Sequence, residues 1–209
     1  MTQGNSNTAC QVGQISPRRS KQAVARSNAI DCDSHPLTVS LHGTTFQAQR
    51  DKHRRAETRT IKKSHHDTPP DDPYYIWSGE CQANWAVTLR HKSAVADLTG
   101  LAKIRWRSKQ SGFRQLRIIL KLADGTWLAS DQSDGTSSDW RVREFNIGDL
   151  RWRKLDIGTV VESEWVDKPD LSRVDEIGFT DLMRGGGTPA SSRLDWIEVY
   201  GTARPRGRN

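Results

Sequence analysis

The sequence predicts an all-β fold, an antiparallel β-sandwich of about eight or nine strands that begins after Asp71. Short apolar runs recur there roughly every 8–12 residues, and turn residues such as Asp124-Gly125 separate them. Apolar and charged residues alternate within the runs, and no segment keeps a helical period over about ten residues. Two sheets packed on their apolar faces satisfy this pattern.

The alternation assigns a buried face to individual strands. Ile104 and Trp106 point to one side of their strand, and the neighbouring Lys and Arg residues point to the other. Leu116, Ile118 and Leu120 likewise share one face. We predict strands at Tyr75–Trp77, Trp85–Leu89, Ala102–Ser108, Gln115–Leu122, Trp127–Ser130, Arg141–Ile147, Trp152–Asp156, Val174–Thr180 and Leu194–Tyr200.

Residues 1–70 form a polar, basic segment that we predict to be disordered. This segment holds 11 Lys and Arg against 5 Asp and Glu, whereas residues 71–209 hold the remaining 21 and 20. All eight Trp lie after position 70, so the first seventy residues have little apolar surface to offset their ordering entropy. The segment is either a solvated tail or translated sequence upstream of the true start, absent from the mature protein. We expect residues 71–203 to form the domain and residues 204–209 a basic tail.

Several classes of function are not indicated by the sequence. Because the domain is nearly neutral, we expect no nucleic-acid partner. The sequence contains no run of about 18 apolar residues, so we expect no membrane span. No signal peptide is visible, and Cys10, Cys32 and Cys81 lack the spacing of a zinc site or disulfide framework. No nucleophile elbow, zinc-protease motif or phosphate-binding loop is present. We therefore expect a monomer without a cofactor and without a catalytic centre.

The end of the domain resembles a known group of folds. Ser192–Gly201 looks like the closing strand of galactose-binding-like jelly-roll domains, which include many carbohydrate-binding modules and the complex I intermediate-associated protein 30 family. Asp97–Gly100 and Val174–Phe179 resemble two further stretches of these domains. The resemblance covers roughly residues 74–201 and extends to uncharacterised bacterial proteins. It implies a jelly roll, an extracytoplasmic location and a carbohydrate or glycan-like ligand.

Exposed tryptophans are the first candidate site. Trp127, Trp140 and Trp152 lie at strand ends or beside polar loops, where a ring can stack on a sugar. The alternative is packing, which we expect for Trp106 and Trp196 within their strands.

An arginine-rich sheet face is the second candidate. Arg105, Arg107 and Arg143 would present planar donors to acidic sugars or to a protein partner. The alternative is a solvated face whose charges pair across strands, for example with Glu144. The remaining arginines of this predicted face are Arg117, Arg141, Arg151 and Arg153.

The third candidate is a loop rich in oxygen ligands. Asp131, Asp134 and Asp139 are weak candidates for a structural calcium ion, although the spacing of an EF-hand is absent. The alternative is a plain turn.

We expect a non-catalytic module that binds a carbohydrate, and our runner-up is a protein-interaction module using the arginine-rich face. A glycoside hydrolase is the third hypothesis, and it would need two of Glu144, Glu176 and Asp181 to converge.

Overall fold

The computed structural model describes residues 47–49, 62–64, 68, 75–78, 84–91, 93–183 and 190–206. These residues form two antiparallel sheets, and a 3-10 turn at Ile147–Asp149 is the sole helical element among them. In chain order the strands are β1 (Gln47–Gln49), β2 (Lys62–Ser64), β3 (Tyr75–Trp77), β4 (Trp85–Leu89), β5 (Ala94–Asp97), β6 (Lys103–Gln110), β7 (Leu116–Leu122), β8 (Trp127–Asp134), β9 (Arg141–Asn146), β10 (Trp152–Asp156), β11 (Val161–Val166), β12 (Val174–Asp181), β13 (Ser192–Tyr200) and β14 (Thr202–Pro205).

The two sheets differ in size. The nine-stranded sheet runs in the order β1-β4-β12-β7-β8-β10-β11, with β5 paired to β12 and β14 paired to β5. The five-stranded sheet runs β2-β3-β13-β6-β9. Neighbouring strands in each sheet are mostly distant in sequence, as in a jelly roll. The predicted fold class is confirmed, whereas the predicted count of eight or nine strands is too low.

The main core lies between the sheets and follows the alternation seen in the sequence. Ile104 and Trp106 are fully buried from the five-stranded sheet, and Leu116, Ile118 and Leu120 meet them from the other. The Trp106 ring meets Phe145 edge-on at 4.9 Å between centroids. Burying this apolar surface is the main source of the domain's stability.

A second apolar cluster lies on the outer face of the nine-stranded sheet. Ala86, Ile119, Ala129 and Leu155 point away from the main core, and Val160 packs over them at 1% exposure. Val160 belongs to the turn between β10 and β11 and has a left-handed backbone, φ 53°. The hairpin formed by β10 and β11 therefore covers part of this outer face, and its turn is anchored where the Asn84 side chain donates to the Val160 carbonyl at 2.9 Å.

All nine predicted strands are present, whereas five further strands were not predicted: β1, β2, β5, β11 and β14. Strand β5 is a four-residue run of Ala, Val and Asp, and β11 is an edge strand whose residues are mostly exposed. Short or solvated strands lack the alternation that prediction uses. Strand β8 also continues to Asp134, so Asp131 and Asp134 of the predicted oxygen-rich loop lie in a strand.

Both predicted domain boundaries need correction. Strands β1 and β2 lie within residues 1–70, so the prediction of disorder is wrong for these six residues, and most of that segment lies outside the described residues. Strand β14 pairs with β5, so Arg204 and Pro205 belong to the sheet and not to a tail. Arg204 donates to Asp97 at 2.9 Å, and Arg206 is ion-paired with Asp175. Residues 207–209 lie outside the described residues.

Membrane-spanning helices are not found in the part of the chain that the structure describes.

The close approach of β12 to β4 gives a test of the packing. A Cβ added at Gly178 would lie 2.0 Å from the Val87 carbonyl oxygen. We expect Gly178→Ala to lower the free energy of unfolding by about 3 kcal/mol, because backbone must move to admit the methyl group. Gly135→Ala is the control, since nothing lies within 4 Å of its added Cβ. Urea titration checks both variants, and equal midpoints would contradict the packing described.

The contact between Asp97 and Arg204, which anchors β14, should make the stability of the domain depend on pH. Hydrogen bonds from Thr99 and Arg204 hold the pKa of Asp97 below its ordinary value. A carboxyl with a lowered folded-state pKa adds stability that is complete above about pH 4 and is lost as the pH falls through the folded value. We expect the unfolding free energy of the wild type to fall more steeply than that of Asp97→Asn below about pH 4. Thermal melts at several pH values measure this, and parallel curves would refute it.

Candidate functional site

The outer face of the five-stranded sheet brings aromatic rings and paired charges together. In β6 the residues between the buried ones point outward, and they lie opposite outward residues of β13. Lys103 pairs with Tyr200, Arg105 with Glu198 and Arg107 with Trp196. We call this surface the aromatic face, and its residues are Lys103, Arg105, Arg107, Trp140, Glu144, Asp195, Trp196, Glu198 and Tyr200.

The rings of the aromatic face are partly exposed, and cations flank them. The guanidinium carbon of Arg107 lies 5.5 Å from the Trp140 ring centroid, and that of Arg105 lies 5.9 Å from the Trp196 centroid. These distances are close to the limit of about 6 Å for a cation–π contact. The arginines are therefore at the outer range of contact with the rings.

Each of these arginines also has a carboxylate partner. Arg105 lies 3.4 Å from Glu144 and 3.5 Å from Glu198. Arg107 lies 3.2 Å from Asp195, which is 5% exposed. The Tyr200 hydroxyl accepts from Arg105 at 3.1 Å and donates to Glu198 at 2.9 Å. The face thus presents fixed donors and acceptors with little unbalanced charge.

A buried carboxylate fixes the segment that carries Trp140. Asp134 ends β8 at 0% exposure and accepts from the Trp106 indole N–H at 2.9 Å. It also accepts from the Ser108 hydroxyl and from Arg141, whose Nε lies at 3.0 Å. Arg141 follows Trp140 directly and also bonds the Gly135 carbonyl at 2.7 Å. The ion pair therefore holds both ends of the connection between β8 and β9.

These contacts do not fit the predicted calcium site. The oxygens of Asp134 face donors, and Arg141 supplies the balancing positive charge. Asp131 accepts from the backbone N–H of Arg151 at 2.9 Å, and Asp139 accepts from that of Trp140 at 2.7 Å. No group of three or more His, Cys, Asp or Glu residues suited to a metal ion occurs among the described residues.

The structure separates the three tryptophans that we predicted as one kind of site. Trp140 lies on the aromatic face, but Trp127 lies on the outer side of the nine-stranded sheet beside its apolar cluster. Trp152 is 2% exposed within the main core, so the prediction of a sugar-stacking role is wrong for it. Trp196, which we expected in the core, is partly exposed on the aromatic face. The cause is a bulge between Leu194 and Trp196, which turns the following residues to the other side.

The predicted arginine-rich face does not exist as one surface. Arg105 and Arg107 belong to the aromatic face, whereas Arg141 and Arg143 extend from the opposite side of β9 toward Asp134, at 3.8 Å for Arg143. The other three arginines belong to the nine-stranded sheet and its connections: Arg117, Arg151 and Arg153.

The carboxylates of the hydrolase hypothesis do not converge. Glu144 lies on the outer face of the five-stranded sheet, and Glu176 lies on the outer face of the other, bonded to Thr88 at 2.7 Å. Asp181 is fully buried beside Arg114, and burial raises the pKa of its carboxyl. Two carboxylates that flank one glycosidic bond lie roughly 5–10 Å apart, so opposite faces of a sandwich cannot supply that pair.

No protein-family model matches the chain, and no curated protein does. Among solved structures it is similar to the family 11 carbohydrate-binding module of a cellulosomal cellulase of Clostridium thermocellum, at 15% identity and a TM-score of 0.52 over 80% of this chain and 95% of that chain. It is also similar to that organism's family 11 module in complex with a β-1,3-1,4-mixed-linked tetrasaccharide, at 15% identity and a TM-score of 0.50 over the same shares. At this identity the similarity shows the fold. The domain therefore shares the two-sheet β-sandwich fold of these modules, in agreement with the predicted fold class.

Substitution of the buried Asp134 tests whether its carboxylate belongs to an ion pair or to a metal site. We expect Asp134→Ala to lower the free energy of unfolding by about 3 kcal/mol, because buried donors lose their acceptor. Asp139→Ala, at a side chain that is 82% exposed, should change it by less than about 0.5 kcal/mol. Urea titration with and without EDTA measures both. A calcium site at Asp131, Asp134 and Asp139 would instead make chelation destabilise the wild type.

Proposed function

We propose that this protein is a non-catalytic carbohydrate-binding module that holds an uncharged polysaccharide on the aromatic face. The observation that carries the proposal is the placement of Trp140 and Trp196 on one sheet face, partly exposed and flanked by paired polar groups. Two such rings on one sheet face suit a chain of sugar units better than a single sugar.

The chemistry of the face fits a sugar ring. The C–H groups of a pyranose form an apolar surface that packs on an aromatic ring, and the hydroxyl groups at its rim need donors and acceptors. Arg105, Glu198 and Tyr200 offer both kinds of group within one hydrogen-bonded set. Because that set is held before a ligand binds, little side-chain entropy is lost on binding.

The charge balance favours an uncharged ligand for this site. Arg105 and Arg107 already have carboxylate partners within 3.5 Å, and a second carboxylate or sulfate would compete with them. Hydroxyl groups can instead bridge donor and acceptor without disturbing the pairs. The similar family 11 structure in complex with a β-1,3-1,4-mixed-linked tetrasaccharide supports a polysaccharide with these linkages as the first ligand to test.

The placement of carboxylates supports a binding role without catalysis. The acids of the aromatic face are ion-paired or hydrogen-bonded, and Glu176 lies on the opposite side of the sandwich. The proposal therefore needs no general acid and no nucleophile among these residues.

Tryptophan substitutions test the proposal. We expect Trp140→Ala and Trp196→Ala each to weaken binding of β-1,3-1,4-mixed-linked glucan about tenfold, since a buried aromatic anchor contributes more than about 1 kcal/mol. Trp127→Ala is the matched control, because Trp127 lies on the other sheet, and it should leave the affinity unchanged. Affinity gel electrophoresis over a panel of neutral polysaccharides measures this, with circular dichroism to verify folding. The proposal fails if the wild type binds none of the panel, or if Trp127→Ala weakens binding as much as the other two variants.

A further inference from the structure

Trp165 lies away from the aromatic face. Trp165 belongs to β11 in the nine-stranded sheet and is 46% exposed. The guanidinium carbon of Arg151 lies 4.4 Å from its ring centroid, and that of Arg153 lies 4.1 Å from it. We call these three side chains the arginine–tryptophan stack.

The short distances distinguish this stack from the aromatic face. At about 4 Å a planar guanidinium lies directly on an indole ring, whereas the flanking arginines of the aromatic face are more than 5 Å away. The ring surface that a sugar would need is therefore already in contact with Arg151 and Arg153. What the stack presents to solvent is the N–H edges of two oriented guanidinium groups.

Those N–H groups are only partly used within the protein. Arg151 donates from Nε to Asp131 at 3.3 Å, and Arg153 donates from Nη1 to the Ser163 carbonyl at 2.8 Å. Both Nη atoms of Arg151, and Nη2 of Arg153, have no acceptor among the described residues. The Arg151 side chain is also 73% exposed, so its donors are accessible to a ligand.

The local charge is positive. Glu162 lies 2.8 Å from Arg117 but 3.8 Å from Arg153, so it balances mainly Arg117. Asp131 balances part of Arg151. These three arginines face two carboxylates, which leaves one positive charge in excess. Both guanidinium carbons lie within 4.4 Å of one ring centroid, so the two groups belong to one compact cluster.

We propose that the arginine–tryptophan stack is a second binding site, for an oxyanion group, sulfate or carboxylate, carried by an acidic polysaccharide. Guanidinium groups bind such groups through paired N–H donors, and stacking on Trp165 orients those donors before the ligand arrives. The choice of a polysaccharide as the carrier rests on the proposed function. The oxyanion chemistry rests on the stack alone.

Binding of dextran sulfate, polygalacturonate and unmodified dextran to the full chain tests the site. In isothermal titration at one salt concentration, we expect Arg151→Gln and Arg153→Gln each to weaken binding of at least one acidic polymer about tenfold, with unmodified dextran unbound at this site. If the arginine variants weaken binding of dextran sulfate, the group bound is sulfate, and inorganic sulfate should compete with the polymer. If they weaken binding of polygalacturonate, the group bound is carboxylate, and acetate should compete.

Two further variants separate a built site from general attraction to positive charge. Lys154→Gln removes the same charge from the same hairpin at an exposed lysine paired with Glu164, so it should change affinity less than about twofold. Trp165→Leu changes no charge, yet it should weaken binding, because the guanidinium groups lose the surface that orients them.

The proposal is overturned if Lys154→Gln weakens binding as much as Arg153→Gln, or if Trp165→Leu leaves affinity unchanged. Its failure is distinct from failure of the proposed function. Neutral glucan that binds through Trp140, with no response of acidic polymers to the arginine variants, refutes only the second site. Acidic polymers whose binding responds to the arginine variants, with no binding of neutral glucan, refute only the neutral-polysaccharide site.

Discussion

The buried carboxylate of Asp134 is the constraint on which both the sandwich and its aromatic face depend. It ends a strand of the nine-stranded sheet and accepts hydrogen bonds from Trp106 and Ser108 in the five-stranded sheet. A charge at 0% exposure is unfavourable unless it is paired and hydrogen-bonded, and Arg141 completes that set. Hydrophobic contact holds the sheets together without direction, whereas these bonds define which residues of the two sheets oppose each other. Since Arg141 follows Trp140, the same bonds orient a ring of the aromatic face.

The outer surfaces show how the remaining charges are arranged. Cations of β6 lie opposite carboxylates and rings of the neighbouring strands, as for Arg105 with Glu144 and Glu198. Exposed pairs of this kind contribute little to stability individually. Their effect is positional, because a paired side chain has fewer conformations and holds its donors in place. A nearly neutral domain can therefore present many charged groups without a large net charge on this face.

The sequence predicted the layers of the fold better than the composition of its surfaces. Strict alternation around Ile104 and Trp106 identified the core face of β6, because a half-buried strand repeats every two residues. The same rule was wrong for Trp196, since one bulge after Leu194 reverses the faces that follow. The prediction of an exposed ring at Trp152, made from its place at a strand end, was also wrong, because strand pairing puts that ring in the core. Pairing partners and bulges arise from contacts between distant segments, and a single sequence does not display them.

The surroundings of Trp140 and Trp165 differ because the two residues lie at different positions relative to the strands. Arg107 with Trp140 and Arg153 with Trp165 combine the same residue types, but their separations are 5.5 and 4.1 Å. Trp140 comes from a connection between strands, whereas Trp165 lies directly opposite Arg153 in paired strands. Facing residues on one side of a strand pair have Cβ atoms about 5 Å apart, which brings the guanidinium onto the ring. The ligands that we propose differ accordingly: a sugar ring at Trp140, where the arginine is farther away, and an oxyanion at the guanidinium groups that stack on Trp165. Strand register therefore accounts for the position of Arg153 on the Trp165 ring.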